Sequence, residues 1–185
     1  MRSTALSLAA ASIALLAAAC TPDQPPAPVV ESVSNETLGI LLDPLPPDFV
    51  VAVNDGRRLE LAPAVDKVGG RVVFEVGDEE PEVNLVAAVK RHQLQVEQMP
   101  GADYKGGQEL VTPHGSAFYS RGRFLTGTEL VEDTVVVLKH PSADRLLIIS
   151  YRYPAAGDSS VRVQQLLDLL NVLQGPGSGA TAGSQ

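Results

Sequence analysis

The segment RLLIISYRYP, residues 145–154, constrains the fold more than any other stretch. Side chains alternate along a strand, so either Leu147, Ile149 and Tyr151 or Leu146, Ile148 and Ser150 point the same way. Both sets are largely apolar. A strand of this kind needs cover on both faces, at least in its first half, and belongs at the centre of a sheet. The closing segment DSSVRVQQLLDLLNVLQG (158–175) supplies one cover. Asp158, Ser159 or Ser160 can cap a helix, Val163, Leu166, Leu167, Leu170 and Leu173 form an apolar stripe, and Gly175 ends it. Leu166, Leu170 and Leu173 are expected to meet the strand.

The second cover comes from residues 81–99, where Leu85, Val89, His92, Val96 and Met99 follow one another at helical spacing. Pro81 suits the first turn, the acids at 78–80 and 82 suit the positive end of a helix, and Pro100-Gly101 stops it. The remaining segments have the lengths and alternation of strands: 37–42, 49–53, 57–62 and 71–76 before this helix, then 108–112, 116–126 and 129–140 after it. Turn signals separate them, among them NDG at 54–56 and PSAD at 141–144. Runs of antiparallel strands interrupted by two helices predict an α+β fold, a sheet with helices packed on it.

All eight aromatic residues lie between Phe49 and Tyr153, which sets the folded domain at 38–174. Residues 21–37 carry four prolines and no aromatic, and predict an extended tether. Residues 175–185, GPGSGATAGSQ, predict a flexible tail. Residues 1–19 read as a signal peptide. Arg2 is followed by an uncharged run from Ala5 to Ala19. That run spans about 22 Å as a helix, short of the roughly 30 Å hydrocarbon core. It ends on Cys20, the single cysteine.

Leu16-Ala17-Ala18-Ala19-Cys20 resembles a lipobox of bacterial lipoproteins, with the leucine one place further upstream than usual. Lipidation of Cys20 is the expectation. Ordinary cleavage after Ala19 would instead leave a free thiol in an oxidising compartment. Acyl chains on Cys20 would anchor residues 20–37 and the domain to a membrane. That membrane would be the periplasmic face of the outer membrane in a Gram-negative cell, towards which Thr21 leans, or the cell surface in a Gram-positive one.

Fourteen basic against 22 acidic residues leave a formal charge of −8, which argues against nucleic acid and against electrostatic adsorption to anionic lipid. Motifs for chemistry are sparse. His92, His114 and His140 form no zinc-ligand spacing, and no cofactor is implied. PHGSA (113–117) lacks a nucleophile elbow, so Ser116 is expected as an ordinary strand residue. The acidic groups at 77–82 and 129–133 are expected at a helix end and in a solvated loop, and KVGGR as a turn. Arg121, Arg123, Arg145 and Arg152 are expected as solvated partners of nearby acids that can share one sheet face.

The order of elements resembles the PsbP-like domain superfamily, which includes thylakoid-lumen photosystem II proteins, small Ran-binding relatives and exported bacterial lipoproteins. LPPDF, with Phe49 at the aromatic position, precedes a hairpin and the first helix. SAFYSRGRF, LLIISYRYP and the leucine-rich closing helix follow. The resemblance covers about 38–174 and implies an αβα arrangement. It also implies a non-catalytic binding or assembly module with an envelope protein as partner, and it brings no catalytic residues. The alternative is a carrier of a small apolar ligand, or a hydrolase, with a pocket between helix and sheet.

Overall fold

The computed structural model describes residues 31–65, 70–79, 84–155 and 159–175. Two helices and ten strands lie within them. In chain order these are β1 (Val33–Asn35), β2 (Ile40–Leu42), β3 (Phe49–Asp55), β4 (Arg58–Pro63), β5 (Arg71–Glu79), α1 (Leu85–Glu97), β6 (Asp103–Thr112), β7 (Gly115–Thr126), β8 (Glu129–Lys139), β9 (Arg145–Pro154), α2 (Ser159–Val172) and β10 (Leu173–Gln174). Strands β3 to β9 form a seven-stranded sheet ordered β3-β4-β5-β9-β8-β7-β6. Every neighbouring pair is antiparallel. β9, the RLLIISYRYP strand, is the middle one. A small sheet ordered β1-β2-β10 sits beside it.

The helices cover opposite faces, giving an α+β fold in an αβα arrangement. Alternation along the central strands divides the core. Leu147, Ile149 and Tyr151 of β9 join Val136 and Leu138 of β8 against Leu166, Leu169, Leu170 and Leu173. Leu146 and Ile148 join Val135 and Val137 against Ala88, Leu85 and Val89 of α1. Polar tips complete the seat of α2: the Tyr151 hydroxyl donates to Gln165 Oε1 at 3.0 Å, and burial pushes this phenol up to about 12.

Several boundaries differ from the sequence expectation. The domain starts before residue 38, because Val33 and Asn35 point inward from β1. Asn35 Nδ2 donates to Asn54 Oδ1 at 2.8 Å, and Asn35 Oδ1 accepts from the Leu38 N–H at 2.8 Å. Residues 37–39 are therefore a turn rather than strand, with Gly39 at φ +67°, and only Ile40–Leu42 pair. α1 starts at Leu85, capped by Asn84, whose side chain accepts from Ala87 N–H, so its first turn holds no acid. Met99 falls beyond the helix and is exposed. β6 begins at Asp103, five residues before the predicted strand; DYKGG carries no apolar alternation to announce it. Leu173 leaves the helix to pair with Leu42. The signal peptide (1–19), Cys20, residues 21–30, Pro81, Asp158, the turn at 66–69 and the tail from 176 lie outside the described residues.

Candidate functional site

The first turns of α2 and the β6–β7 edge of the sheet enclose a groove of about 540 Å3. Alternation determines what lines it. β6 presents Lys105, Gln108 and Leu110 on the α2 side, and β7 presents Tyr119 and Arg121. Val163, Leu166 and Leu167 form the opposite wall. Val163 and Leu167 are half-buried rather than buried as the predicted stripe required, with Leu167 packing against the edge of the core. The register of β6 on β7 shifts between Tyr104 and Gly106. Gly106 adopts φ +93°, and a Cβ there would meet nothing within 4 Å.

A buried charge cluster lies at one end. Glu132 is fully buried in β8, accepts from the Tyr153 hydroxyl at 2.7 Å and from Arg123 Nε at 2.6 Å, and lies 3.5 Å from Arg121 Nη1. Burial, and the proton that Tyr153 donates to Glu132, hold this phenol well above its ordinary value. Burial also raises Tyr119, against the opposing pull of the Arg121 charge. Among the described residues, the side chains lining the groove include Lys105 and Arg121 and no carboxylate, in a chain of net charge −8.

The other face of the same strands carries a second polar cluster. Ser120 Oγ is 2.8 Å from His92 Nδ1 and 2.9 Å from the Tyr104 hydroxyl. His92 Nε2 is 3.6 Å from Asp133 Oδ2, beyond hydrogen-bond distance, and that oxygen accepts from Arg152 at 3.0 Å. Burial alone would raise the Asp133 carboxyl, but its contacts with His92 and Arg152 outweigh this and lower it. The order Ser–His–Asp matches that of a nucleophile, its base and an orienting acid. Access does not match. Ser120 is 0% exposed, and His92 and Asp133 are 5% exposed, sealed between α1 and the sheet. A nucleophile must touch its substrate. Here the three side chains join α1 to β7 and β8.

The remaining sequence candidates fall elsewhere. His114 Nε2 contacts the Leu173 carbonyl at 2.7 Å, joining the β6–β7 turn to the end of α2. His140 Nε2 contacts the Leu38 carbonyl at 2.6 Å while its Nδ1 accepts from Ser142 N–H at 3.1 Å; burial lowers its pKa. Ser116 is an exposed residue of β7. The four arginines do not share a face. Arg121 and Arg123 lie on the α2 side with Glu132, Arg152 lies on the α1 side with Asp133, and Arg145 reaches the carbonyls of Thr37 and Leu38. The acids at 129–133 were expected in a solvated loop. Glu132 and Asp133 are instead buried in β8, because each has a cation or hydroxyl from a neighbouring strand. Likewise Gly77–Glu79 belong to β5 rather than a helix end.

Solved structures share this arrangement. The Saccharomyces cerevisiae Ran-binding protein Mog1p superposes with a TM-score of 0.56 at 10% identity, over 78% of this chain and 94% of that one. A point mutant of Mog1 superposes with a TM-score of 0.57 at 12% identity, over 82% and 98%. The chain has the fold of Mog1. The solution structure of cyanobacterial PsbP from Synechocystis sp. PCC 6803 aligns over 78% of this chain and 91% of that one, at 10% identity and a TM-score of 0.49. No family model and no curated protein matches by sequence. At such identities the likeness to these structures is one of fold, and it transfers no site residue.

Proposed function

We propose that this chain is a non-catalytic binding module, exported and held at a membrane of the cell envelope by acyl chains on Cys20, and that it binds through the α2–β6 groove. The groove carries the proposal. It is an accessible concavity of ligand size. Among the described residues, the titratable side chains lining it are Lys105, Tyr119 and Arg121, with neither a carboxylate nor an imidazole to serve as a base. The Ser–His–Asp line lies on the opposite face beneath α1, which argues against the hydrolase alternative. Among the described residues no helix is long and apolar enough to cross a membrane. The attachment we propose is through residues 20–30, ahead of the first described strand.

Photo-crosslinking in cells tests both parts. A photoreactive residue at Gln164, on the groove wall, should give an adduct that Val163→Trp removes. The same probe at exposed Val161 should not give it. Cys20→Ser should abolish labelling by an alkynyl fatty acid and release the protein from the membrane fraction. Absence of a groove-dependent adduct would overturn the binding site, and unchanged membrane association of the serine variant would overturn the anchor.

A further inference from the structure

Strand register gives the groove a direction. Arg121 pairs with Gly106, and Lys105 sits at the register shift just before it; both line one end of the groove. Gln108 pairs with Tyr119 in the middle, and Leu110 with buried Ala117 at the other end. α2 is graded the same way. Its first turn, Ser159 and Ser160, lines the groove, and Leu166 and Leu167 follow further along. The His114 contact with the Leu173 carbonyl shows that the C-terminal end of α2 lies at the β6–β7 turn, beyond Leu110. The start of α2, with the positive pole of its dipole, therefore lies toward Lys105 and Arg121. From Lys105 to Leu110 the groove passes from cationic to apolar over about 17 Å.

Among the described residues, three cations at the polar end, Lys105, Arg121 and Arg123, stand against two carboxylates, Asp103 and Glu132. Glu132 is already engaged by Arg123 and Tyr153, so the more distant Arg121 has coordination to spare. A volume of about 540 Å3 lies inside the range of small-ligand sites, about 300–1,000 Å3.

Resting on the groove as binding site, we infer that its ligand is a single-chain amphiphile with an anionic head group. The head sits at Lys105 and Arg121. The acyl tail lies along Leu110, Val163 and Leu167. A cationic amphiphile of equal length meets like charge at the head position, and a purely polar anion finds no partner for the apolar half.

Calorimetric titration of the chain from residue 20 onward, with Cys20→Ser so that no acyl chain of its own competes, tests the inference. Dodecanoate should bind below its micelle-forming concentration. Octanoate should bind more weakly, by up to roughly fourfold per methylene removed. Dodecyltrimethylammonium should bind about tenfold or more weaker than dodecanoate, and Lys105→Gln/Arg121→Gln should remove that preference. Val163→Trp should abolish binding while its thermal melt stays cooperative. Equal affinity for the two head-group charges would overturn the inference, as would dodecanoate binding that survives Val163→Trp. If no amphiphile binds while the Gln164 adduct still forms in cells, the ligand class is wrong and the groove stands. If the adduct is missing too, both fall.

Discussion

The two faces of the sheet are held by different physics. On the α2 face the apolar cluster is continuous, running from Val33 and Leu42 through Phe74, Ile149 and Tyr151 to Leu173, with its buried charge confined to Glu132 among the described residues. On the α1 face the apolar contacts split into two small groups, Ala88 with Val135, Val137 and Leu146, and Val96 with Phe124 and Val131. His92, Ser120 and Asp133 are buried on that face too. Apolar burial scales with area and has no preferred direction. Hydrogen bonds contribute about 1 kcal/mol net but are directional, and a buried group left unpaired costs more. The α2 face therefore carries most of the stability, and the α1 face specifies where its helix sits. Gly122 shows how tightly: a Cβ there would lie 2.5 Å from Val96 Cγ1, so α1 rests directly on the backbone of β7.

Adjacent isoleucines of β9 give the sharpest test. Ile149 is fully buried on the α2 face, whereas Ile148 is half-buried on the α1 face, not equally buried as the apolar run implied. In urea melts Ile149→Ala should cost about 2–5 kcal/mol, and Ile148→Ala about half of that or less. Equal losses would erase the difference between the faces.

Gly122→Ala comes next, at about 1–3 kcal/mol of overpacking. Combining it with Val96→Ala should show a favourable coupling in a double-mutant cycle, since the shortened side chain makes room. Strict additivity would mean that α1 does not pack as closely as described.

Acid should separate the faces by smaller amounts. His140 joins the α2-side turn at Leu38 through its neutral ring, donating from Nε2 and accepting at Nδ1, and its folded pKa is lowered. The unfolded chain then binds more protons, so this contribution is complete above about pH 6.5 and is lost as pH falls through the folded value. Asp133 on the α1 face is also lowered. Its contribution is present above the ordinary carboxylate value near 4 and is lost as pH falls through its folded value. Stability measured against pH should fall in two stages. His140→Gln should flatten the first and Asp133→Asn the second; a single stage insensitive to both would contradict the assignments.

The sequence by itself determined the fold class, the order and type of most elements, the central place of RLLIISYRYP and much of the face that α2 buries. All of these follow from side-chain period, which is a local property of the chain. The exceptions are also local in origin. Residues 103–107 are polar with two glycines, and Val33–Asn35 follow a proline-rich run, so neither pattern announced a strand. Tertiary structure alone decided the sites. Glu132 and Asp133 look like a solvated pair until strand order places arginines, a tyrosine and a histidine beside them. Ser120 and His92 meet only because α1 crosses β7. Val163 and Leu167 have the helical spacing of core residues, and they line a groove because α2 lies to one side of β6. Periodicity says which residues share a face. Which face stands opposite, and whether a gap remains between them, depends on strand order and register, and those are set by contacts between residues far apart in the chain.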